Sequence, residues 1–147
     1  MKAVIQRVRH AAVEVNGTVV GKIGNGLLVL LGVEAGDTQK DLEYVLKKTV
    51  QLRIFPDSNG KMNLAVGQVD GKLLVVSQFT LLGDVRRGNR PGFSQAAEPS
   101  EADRLYQAFV VGARDAGLDV ETGVFQADMQ VSLINDGPVT IIVDSRC

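Results

Sequence analysis

The stretch that decides the fold is Gly26-Leu27-Leu28-Val29-Leu30-Leu31-Gly32-Val33, in which every residue between the two glycines is apolar. Because successive side chains of a strand point to opposite faces, a strand of this composition is apolar on both faces. Such a strand is typical of the middle of a layered α/β structure. The run is far shorter than the ~20 apolar residues that a membrane span needs, so we expect no membrane partner.

Strand patterns precede this segment. Residues 2–9 and 11–15 alternate apolar with polar side chains and are rich in β-branched types, which predicts extended structure. Asn16-Gly17 follows, and both residues tolerate the positive φ of a type I′ hairpin turn. Residues 18–23 are therefore predicted to return as the partner strand.

Two helices are predicted further along the chain. Apolar residues recur at three- and four-residue steps from about position 38, where Asp37 or Thr38 can cap the helix. A second helix is predicted to begin near Ser100, with Ser100 and Asp103 as an approximate capping box. Gly117 is predicted to end it.

More strands follow each helix. An apolar strand is predicted over Leu73–Leu82, between the two helices. Two extended segments, 130–134 and 139–143, are predicted near the end of the sequence, joined by a turn at 135–138. No Pro-rich, Gly/Ser-rich or like-charge stretch divides the sequence. We therefore expect one domain over residues 1–147, of the α/β class, with a mixed sheet and two main helices on it.

Composition excludes several classes of function. The 147 residues include 16 basic and 17 acidic side chains, so any contact with phosphates must come from a local patch. One histidine, His10, and one cysteine, Cys147, cannot form a zinc site of the usual kind, and the single cysteine fits a reducing cytosol. No phosphate-binding glycine motif is present. We therefore expect no metal and no cofactor.

The first candidate for chemistry is Ser77-Gln78-Phe79-Thr80, which places polar side chains inside an apolar strand pattern. A buried polar group without a hydrogen bond costs about 1–3 kcal/mol, so such residues commonly lie at a strand end that faces a site. The alternative is a strand whose Ser and Thr hydroxyls bond locally to the backbone. The pattern alone leaves both interpretations open.

A second candidate is the loop 83–93, which has Arg86, Arg87 and Arg90 against one acid, Asp84. Guanidinium groups suit bidentate contacts with phosphate, and Phe93 offers a stacking face. The alternative is an ordinary solvated loop. The third candidate is Gly137-Pro138, which is either an ordinary turn or a protruding turn that places backbone atoms in a partner's pocket.

In order and over the whole chain, these segments resemble the D-aminoacyl-tRNA deacylase family, also called the D-tyrosyl-tRNA deacylase family. The pair Ser-Gln-Phe-Thr and Asn-x-Gly-Pro-Val-Thr, at this separation, is highly specific. The matching segments are Met1–Val8, Gly26–Val33, Arg53–Phe55, Lys61–Leu64, Val76–Leu81, Arg90-Pro91 with Phe93, Thr122-Gly123 with Phe125, Ala127–Leu133 and Asn135–Thr140.

The resemblance implies a cytoplasmic, homodimeric editing enzyme with a barrel-like mixed sheet. Its substrate is the aminoacylated 3′ end of tRNA, and DNA is not an expected partner. The reaction is hydrolysis of the ester to a D-amino acid, or to glycine mischarged onto tRNA(Ala). L-aminoacyl esters are rejected sterically.

The resemblance also assigns residues. Ser77, Gln78 and Thr80 carry the catalytic motif, and Phe79 lines the pocket beside the terminal adenosine. Gly137-Pro138, with a cis bond, is inserted from one subunit into the other's pocket. Arg7 holds that motif in place, and Phe125 and Met129 match pocket-lining positions.

Two mechanisms stay open at this point. Either Thr80 is a nucleophile that forms an acyl-enzyme, or the tRNA 2′-hydroxyl does the chemistry and Thr80 positions it. We favour the second, because the sequence offers no evident His or Lys base near Thr80. The alternative to an enzyme is a dimeric RNA-binding protein that kept the fold and lost the reaction.

Overall fold

The computed structural model describes residues 1–146, and Cys147 lies outside the described residues. The strands and α-helices are β1 Lys2–Val15, β2 Thr18–Ile23, β3 Gly26–Gly32, α1 Gln39–Gln51, β4 Phe55–Pro56, β5 Met62–Leu64, β6 Lys72–Ser77, α2 Pro99–Asp115, β7 Val120–Thr122 and β8 Gln130–Asp144. Two short 3₁₀ helices span Val66–Val69 and Phe79–Leu82. These elements confirm the predicted α/β class and its two main helices.

The main sheet is mixed and has β3 at its centre. Its order is β2-β1-β3-β6-β7, and β8 pairs with the other edge of β1. The β1–β3 and β1–β8 pairs are antiparallel, whereas β3–β6 and β6–β7 are parallel. The predicted hairpin between β1 and β2 is confirmed, because Asn16 and Gly17 have φ values of 50° and 78°. Residues 2–9 and 11–15 form one continuous strand.

Both faces of the two central strands are buried, as their composition predicts. Leu27, Val29 and Leu31 of β3 pack into the core that the helices cover. Leu28 of β3 and Leu74 of β6 pack into a second core on the opposite face. The sheet therefore separates two apolar layers.

The sheet curls toward a barrel, so that β2 and β7, the first and last strands of this order, approach each other. A Cβ atom on Gly21 of β2 would overlap the backbone carbonyl oxygen of Thr122 in β7 and would lie 3.1 Å from Leu74 Cδ1. Only glycine allows this approach. The second core is enclosed by the curl.

The start of α1 and the end of α2 at Gly117, which has a φ of 90°, agree with prediction, whereas the start of α2 differs. Thr38 is the N-cap of α1, and the Asp41 carboxylate accepts a 2.8 Å hydrogen bond from the Thr38 backbone N–H. The capping box predicted at Ser100 is wrong, because α2 begins one residue earlier, with Pro99 in its first turn. Proline suits that position since its φ is already helical and its missing N–H would have no partner there.

Two strand predictions are also wrong in extent. The strand predicted over Leu73–Leu82 ends at Ser77, and Phe79–Leu82 turns into a 3₁₀ helix. The two segments predicted near the end of the sequence form one strand, β8, which pairs with β1 before and after Gly137-Pro138. The predicted turn is therefore a bulge within a strand.

No helix among residues 1–146 combines the length and the apolar character that a membrane crossing would need.

A buried ion pair joins the first residue to the start of α1. The Met1 amino group donates to Asp37 Oδ1 at 2.8 Å, and both groups are fully buried. Arg146 Nη2 lies 3.0 Å from the same oxygen, and the Met1 amino group also donates to Ser145 Oγ at 2.8 Å. Asp37, which the sequence offered as a helix cap, instead neutralises two cations.

We expect Asp37→Asn to lower the free energy of unfolding by about 3 kcal/mol, because the variant leaves a buried ammonium group without its counter-charge. Urea unfolding followed by circular dichroism measures the change. Asp115→Asn, which removes an exposed carboxylate at the end of α2, is the control. Equal stability of the two variants would contradict this assignment.

Candidate active site

A cavity of about 670 Å³ opens beside the end of β6. It gathers five of the residues that the sequence singled out: Ser77, Gln78, Phe79, Phe125 and Met129. The other lining residues are Val33, Val76, Ala96, Ala97, Pro99, Ala102, Gln126, Ala127, Asp128 and Val131. Of the two interpretations that the sequence left open, the structure shows a strand end at a site: β6 ends at Ser77, and Ser77 lines the cavity.

The first wall of the cavity is formed where β6 ends and the 3₁₀ helix Phe79–Leu82 begins. The Gln78 backbone N–H still donates to Leu31 O at 2.8 Å, as a continuation of the β3–β6 pairing. Phe79 and Thr80 then begin the 3₁₀ helix, and their backbone N–H groups have no intrahelical acceptor. The Thr80 side chain is exposed and outside the lining of the cavity. Its hydroxyl accepts a hydrogen bond from the Gln78 side-chain amide.

The opposite wall runs from Phe125 to Met129 and is fixed from behind by Tyr106. The buried Tyr106 hydroxyl donates to Val75 O at 2.8 Å, and its ring centroid lies 6.2 Å from that of Phe125. Burial raises the pKa of Tyr106 to about 12, so the hydroxyl stays protonated and keeps donating. Gln126 in this wall has a φ of 64°, a left-handed conformation that is uncommon for residues other than glycine.

Sequence reasoning missed the third wall. Ala96, Ala97 and Ala102 leave space at the start of α2, and small residues give no signal in a sequence until the fold places them together. Asp128 was also missed and is the one carboxylate in the lining. Residues 1–146 contain no group of three His, Cys, Asp or Glu side chains placed to hold a metal ion.

Gly137-Pro138 lies outside the cavity of its own chain. The peptide bond between them is cis, and both residues are exposed. Between the pairs Gln6↔Thr140 and Val8↔Asn135, β1 contributes Arg7 alone, whereas β8 contributes 136–139. The motif is therefore the crest of a bulge that projects from the sheet.

Two side chains hold this bulge. Arg7 Nε donates to Asp136 O at 2.9 Å, and Arg7 Nη1 donates to Ile54 O at 2.5 Å. Asn135, to which the sequence analysis assigned no role, accepts from Val139 N at 2.7 Å and donates to Val139 O at 3.2 Å. A Cβ on Gly137 would lie 2.7 Å from Val139 Cγ2 and 3.2 Å from Arg7 Nη2, so the bulge requires glycine there.

The arginines of loop 83–93 are not equivalent. Asp84 and Gly92 exchange backbone hydrogen bonds of 2.8 and 2.9 Å, which close the base of the loop. Arg86 binds the Asp84 carboxylate at 2.7 and 2.9 Å, and this pairing lowers the pKa of Asp84 to about 2. Arg87 and Arg90 are exposed and make no ion pair with residues 1–146. Of the three predicted phosphate ligands, Arg86 is thus already occupied.

Phe79 and Phe93 meet at the rim of the cavity. Their ring centroids are 5.1 Å apart and the rings cross at 65°, an edge-to-face arrangement. Phe79 lines the cavity, whereas Phe93 lies beyond it.

The family profile and two sequence relatives agree on one family. The profile of the family described as D-Tyr-tRNA(Tyr) deacylase matches residues 4–144. The D-aminoacyl-tRNA deacylase of Anaeromyxobacter dehalogenans is 61% identical over 99% of this chain and 98% of its own length. The D-aminoacyl-tRNA deacylase of Thermosipho africanus is 57% identical over 99% of this chain and 98% of its own length.

Two solved structures share the fold over nearly the full length. The c-Myc DNA unwinding element binding protein superposes with a TM-score of 0.92 at 42% identity, covering 98% of each chain. A probable eukaryotic D-amino acid tRNA deacylase superposes with a TM-score of 0.85 at 18% identity, covering 97% of this chain and 98% of its own. The second likeness, at this identity, concerns the fold alone.

Proposed function

The chain belongs to the D-Tyr-tRNA(Tyr) deacylase family, and we propose that it edits aminoacyl-tRNA by hydrolysing the ester between a D-amino acid and the 3′-terminal adenosine. The observation that carries this function is the convergence of Ser77, Gln78 and Phe79 on one cavity in a chain that matches the family from end to end. The cavity volume of about 670 Å³ lies in the range that encloses a small ligand. The terminal adenosine binds beside Phe79, with the aminoacyl group directed toward Phe125 and Met129.

The chemistry requires little from side chains. An ester to a ribose hydroxyl is already activated, so orientation and stabilisation of the developing oxyanion supply most of the catalysis. The backbone N–H groups of Phe79 and Thr80, which have no intrahelical acceptor, are the oxyanion donors in this proposal. Cofactors and metals have no step to perform.

The 2′-hydroxyl of the substrate, rather than Thr80, activates the water molecule that attacks the ester carbonyl. The bond from this carbonyl carbon to the ribose 3′-oxygen breaks, and that oxygen leaves as the protonated 3′-hydroxyl of the terminal adenosine. The Thr80 hydroxyl receives its side-chain hydrogen bond from the Gln78 amide, and a neutral amide cannot remove a proton from a hydroxyl. A threonine nucleophile needs an adjacent base, and the contacts of Thr80 within residues 1–146 provide none. In this proposal Thr80 therefore positions the reacting groups through its backbone N–H, and Gln78 does so from the cavity wall.

Chirality is selected by exclusion in a homodimer. Gly137-Pro138 is exposed at the crest of its bulge, and Arg7 and Asn135 hold it rigidly. Inserted into the partner's cavity, these main-chain atoms face the α-carbon and clash with an L side chain. Glycine passes because it has no side chain, so glycyl-tRNA(Ala) is a second substrate.

In this proposal the protein makes few contacts with tRNA outside the cavity. Arg87 and Arg90 are the phosphate ligands of loop 83–93, whereas Arg86 braces the loop through Asp84. Their small number fits a protein with a net charge of −1 that binds only the end of tRNA. The proposed compartment is the cytoplasm, where tRNA is charged.

A dimeric RNA-binding protein without activity is the competing function. The name of one solved relative refers to binding of a DNA element, but the exposed cations of loop 83–93 provide only a short patch for a duplex. The intact Ser77–Thr80 and Gly137-Pro138 motifs favour the enzyme.

We expect the purified protein to hydrolyse D-tyrosyl-tRNA at least about a hundredfold faster than L-tyrosyl-tRNA, since a steric clash of about 3 kcal/mol gives that ratio. Release of radiolabelled tyrosine under single-turnover conditions measures both rates. Glycyl-tRNA(Ala) serves as the achiral control and is hydrolysed. Binding of D-tyrosyl-tRNA without hydrolysis would favour the non-catalytic alternative.

For Thr80→Ala we expect a single-turnover rate within about tenfold of the unaltered protein, the effect of one lost hydrogen bond. A substrate ending in 2′-deoxyadenosine is expected to lose about 10²-fold or more, the range of a lost general acid–base group. Complete loss of rate in Thr80→Ala, with the deoxy substrate still hydrolysed, would establish Thr80 as the nucleophile instead.

A further inference from the structure

Two phenylalanine rings are exposed together at the rim of the cavity. Phe79 is 55% exposed and Phe93 is 37% exposed, although their rings touch edge to face. An edge-to-face pair covers at most one face of one ring, so flat apolar surface stays open to solvent. Aromatic surface left exposed beside a cavity is typical of a site that binds a further group.

The position of Phe93 is fixed before anything binds. The two backbone hydrogen bonds between Asp84 and Gly92 close the loop directly before Phe93. A Cβ on Gly83 would lie 3.2 Å from Phe93 Cε1, so glycine lets the ring lie against the chain. A ring held in this way loses little conformational freedom on binding.

The loop 83–93, which carries Phe93, has a net positive charge. Arg86 pairs with the single acid of the loop, Asp84, which leaves Arg87 and Arg90 as exposed cations on the same loop. Open aromatic faces combined with cations are the combination that binds single-stranded nucleic acid, where bases stack and phosphates pair with arginine. A purely apolar partner would not make use of these cations.

The Phe79 and Phe93 rings lie one after the other on a path that leads out of the cavity. Phe79 lines the cavity, and Phe93 is the next ring beyond it. Resting on the proposed function, which places the terminal adenosine beside Phe79, we propose that Phe93 stacks the base of the nucleotide that precedes this adenosine. Arg87 and Arg90 then face the phosphates of the same single strand. The substrate recognised is thus a dinucleotide end, with Phe93 as a binding residue that takes no part in the chemistry.

The test changes the ring and the base in the same experiment. A D-tyrosylated acceptor-stem minihelix is prepared with either the normal nucleotide or an abasic one before the terminal adenosine. Each is hydrolysed by the unaltered protein and by Phe93→Leu, which keeps an apolar side chain of similar size but loses the aromatic face. Val85→Ala, which alters another exposed apolar residue of the loop, is the matched control.

We expect the abasic substrate and Phe93→Leu each to raise KM about tenfold with kcat unchanged, the effect of one lost base–aromatic stack. Combining the two changes is expected to add no further loss, because both remove the same contact. Val85→Ala is expected to leave both substrates unchanged. The abasic substrate tests the contact with the unaltered protein, so the outcome does not depend on the folding of a variant.

Equal KM values for the two minihelices with the unaltered protein would overturn the stacking role. Increases in KM from Phe93→Leu and from the abasic substrate that multiply when the two are combined would also overturn it. The ring and the base would then contribute to binding independently. Failure of the proposed function gives a different result, in which neither the minihelices nor D-tyrosyl-tRNA is hydrolysed at all.

Discussion

The proposed site depends on the hydrogen bonds that the Arg7 guanidinium donates to two backbone carbonyl oxygens. The pairing of β1 with β8 extends over nearly the full length of both strands, and the bulge at 136–139 is its largest interruption. Arg7 donates to the carbonyl oxygen of Asp136, inside that interruption, and to the carbonyl oxygen of Ile54, in the segment between α1 and β4. The sheet can therefore continue past the bulge while Gly137-Pro138 projects from it in one fixed geometry.

The second half of the site depends on the burial of β3 and β6. Because both strands are apolar on both faces, β6 can expose polar residues only at its two ends, Lys72 and Ser77, and Ser77 is at the end that faces the cavity. The chain then turns into a 3₁₀ helix, which directs the N–H groups of Phe79 and Thr80 away from the sheet ladder. In this account, catalysis uses backbone atoms and the substrate's own hydroxyl, which explains how a hydrolase can function with one histidine.

Local patterns predicted the parts of the fold that short-range chemistry determines. The Asn16-Gly17 turn and the central position of β3 follow from positive φ and from two apolar faces. The sequence leaves the end of β6 open, because Ser77-Gln78-Phe79-Thr80 interrupts the apolar pattern and Leu81-Leu82 resumes it; the structure ends the strand at Ser77 and forms a 3₁₀ helix over Phe79–Leu82. The continuity of β8 could not be predicted either, since Gly-Pro is typical of a turn and only pairing with β1 keeps the strand's direction.

The central claim is that Gly137-Pro138 of one subunit completes the cavity of the other. A crystal structure with the 3′-amino analogue of D-tyrosyl-adenosine, whose amide bond resists hydrolysis, tests it most directly. We expect the adenosine to lie beside Phe79, and the α-carbon of the ligand to lie against main-chain atoms of the partner's Gly137 and Pro138. A ligand enclosed by one chain alone, with Gly137-Pro138 exposed to solvent in both subunits, would contradict it.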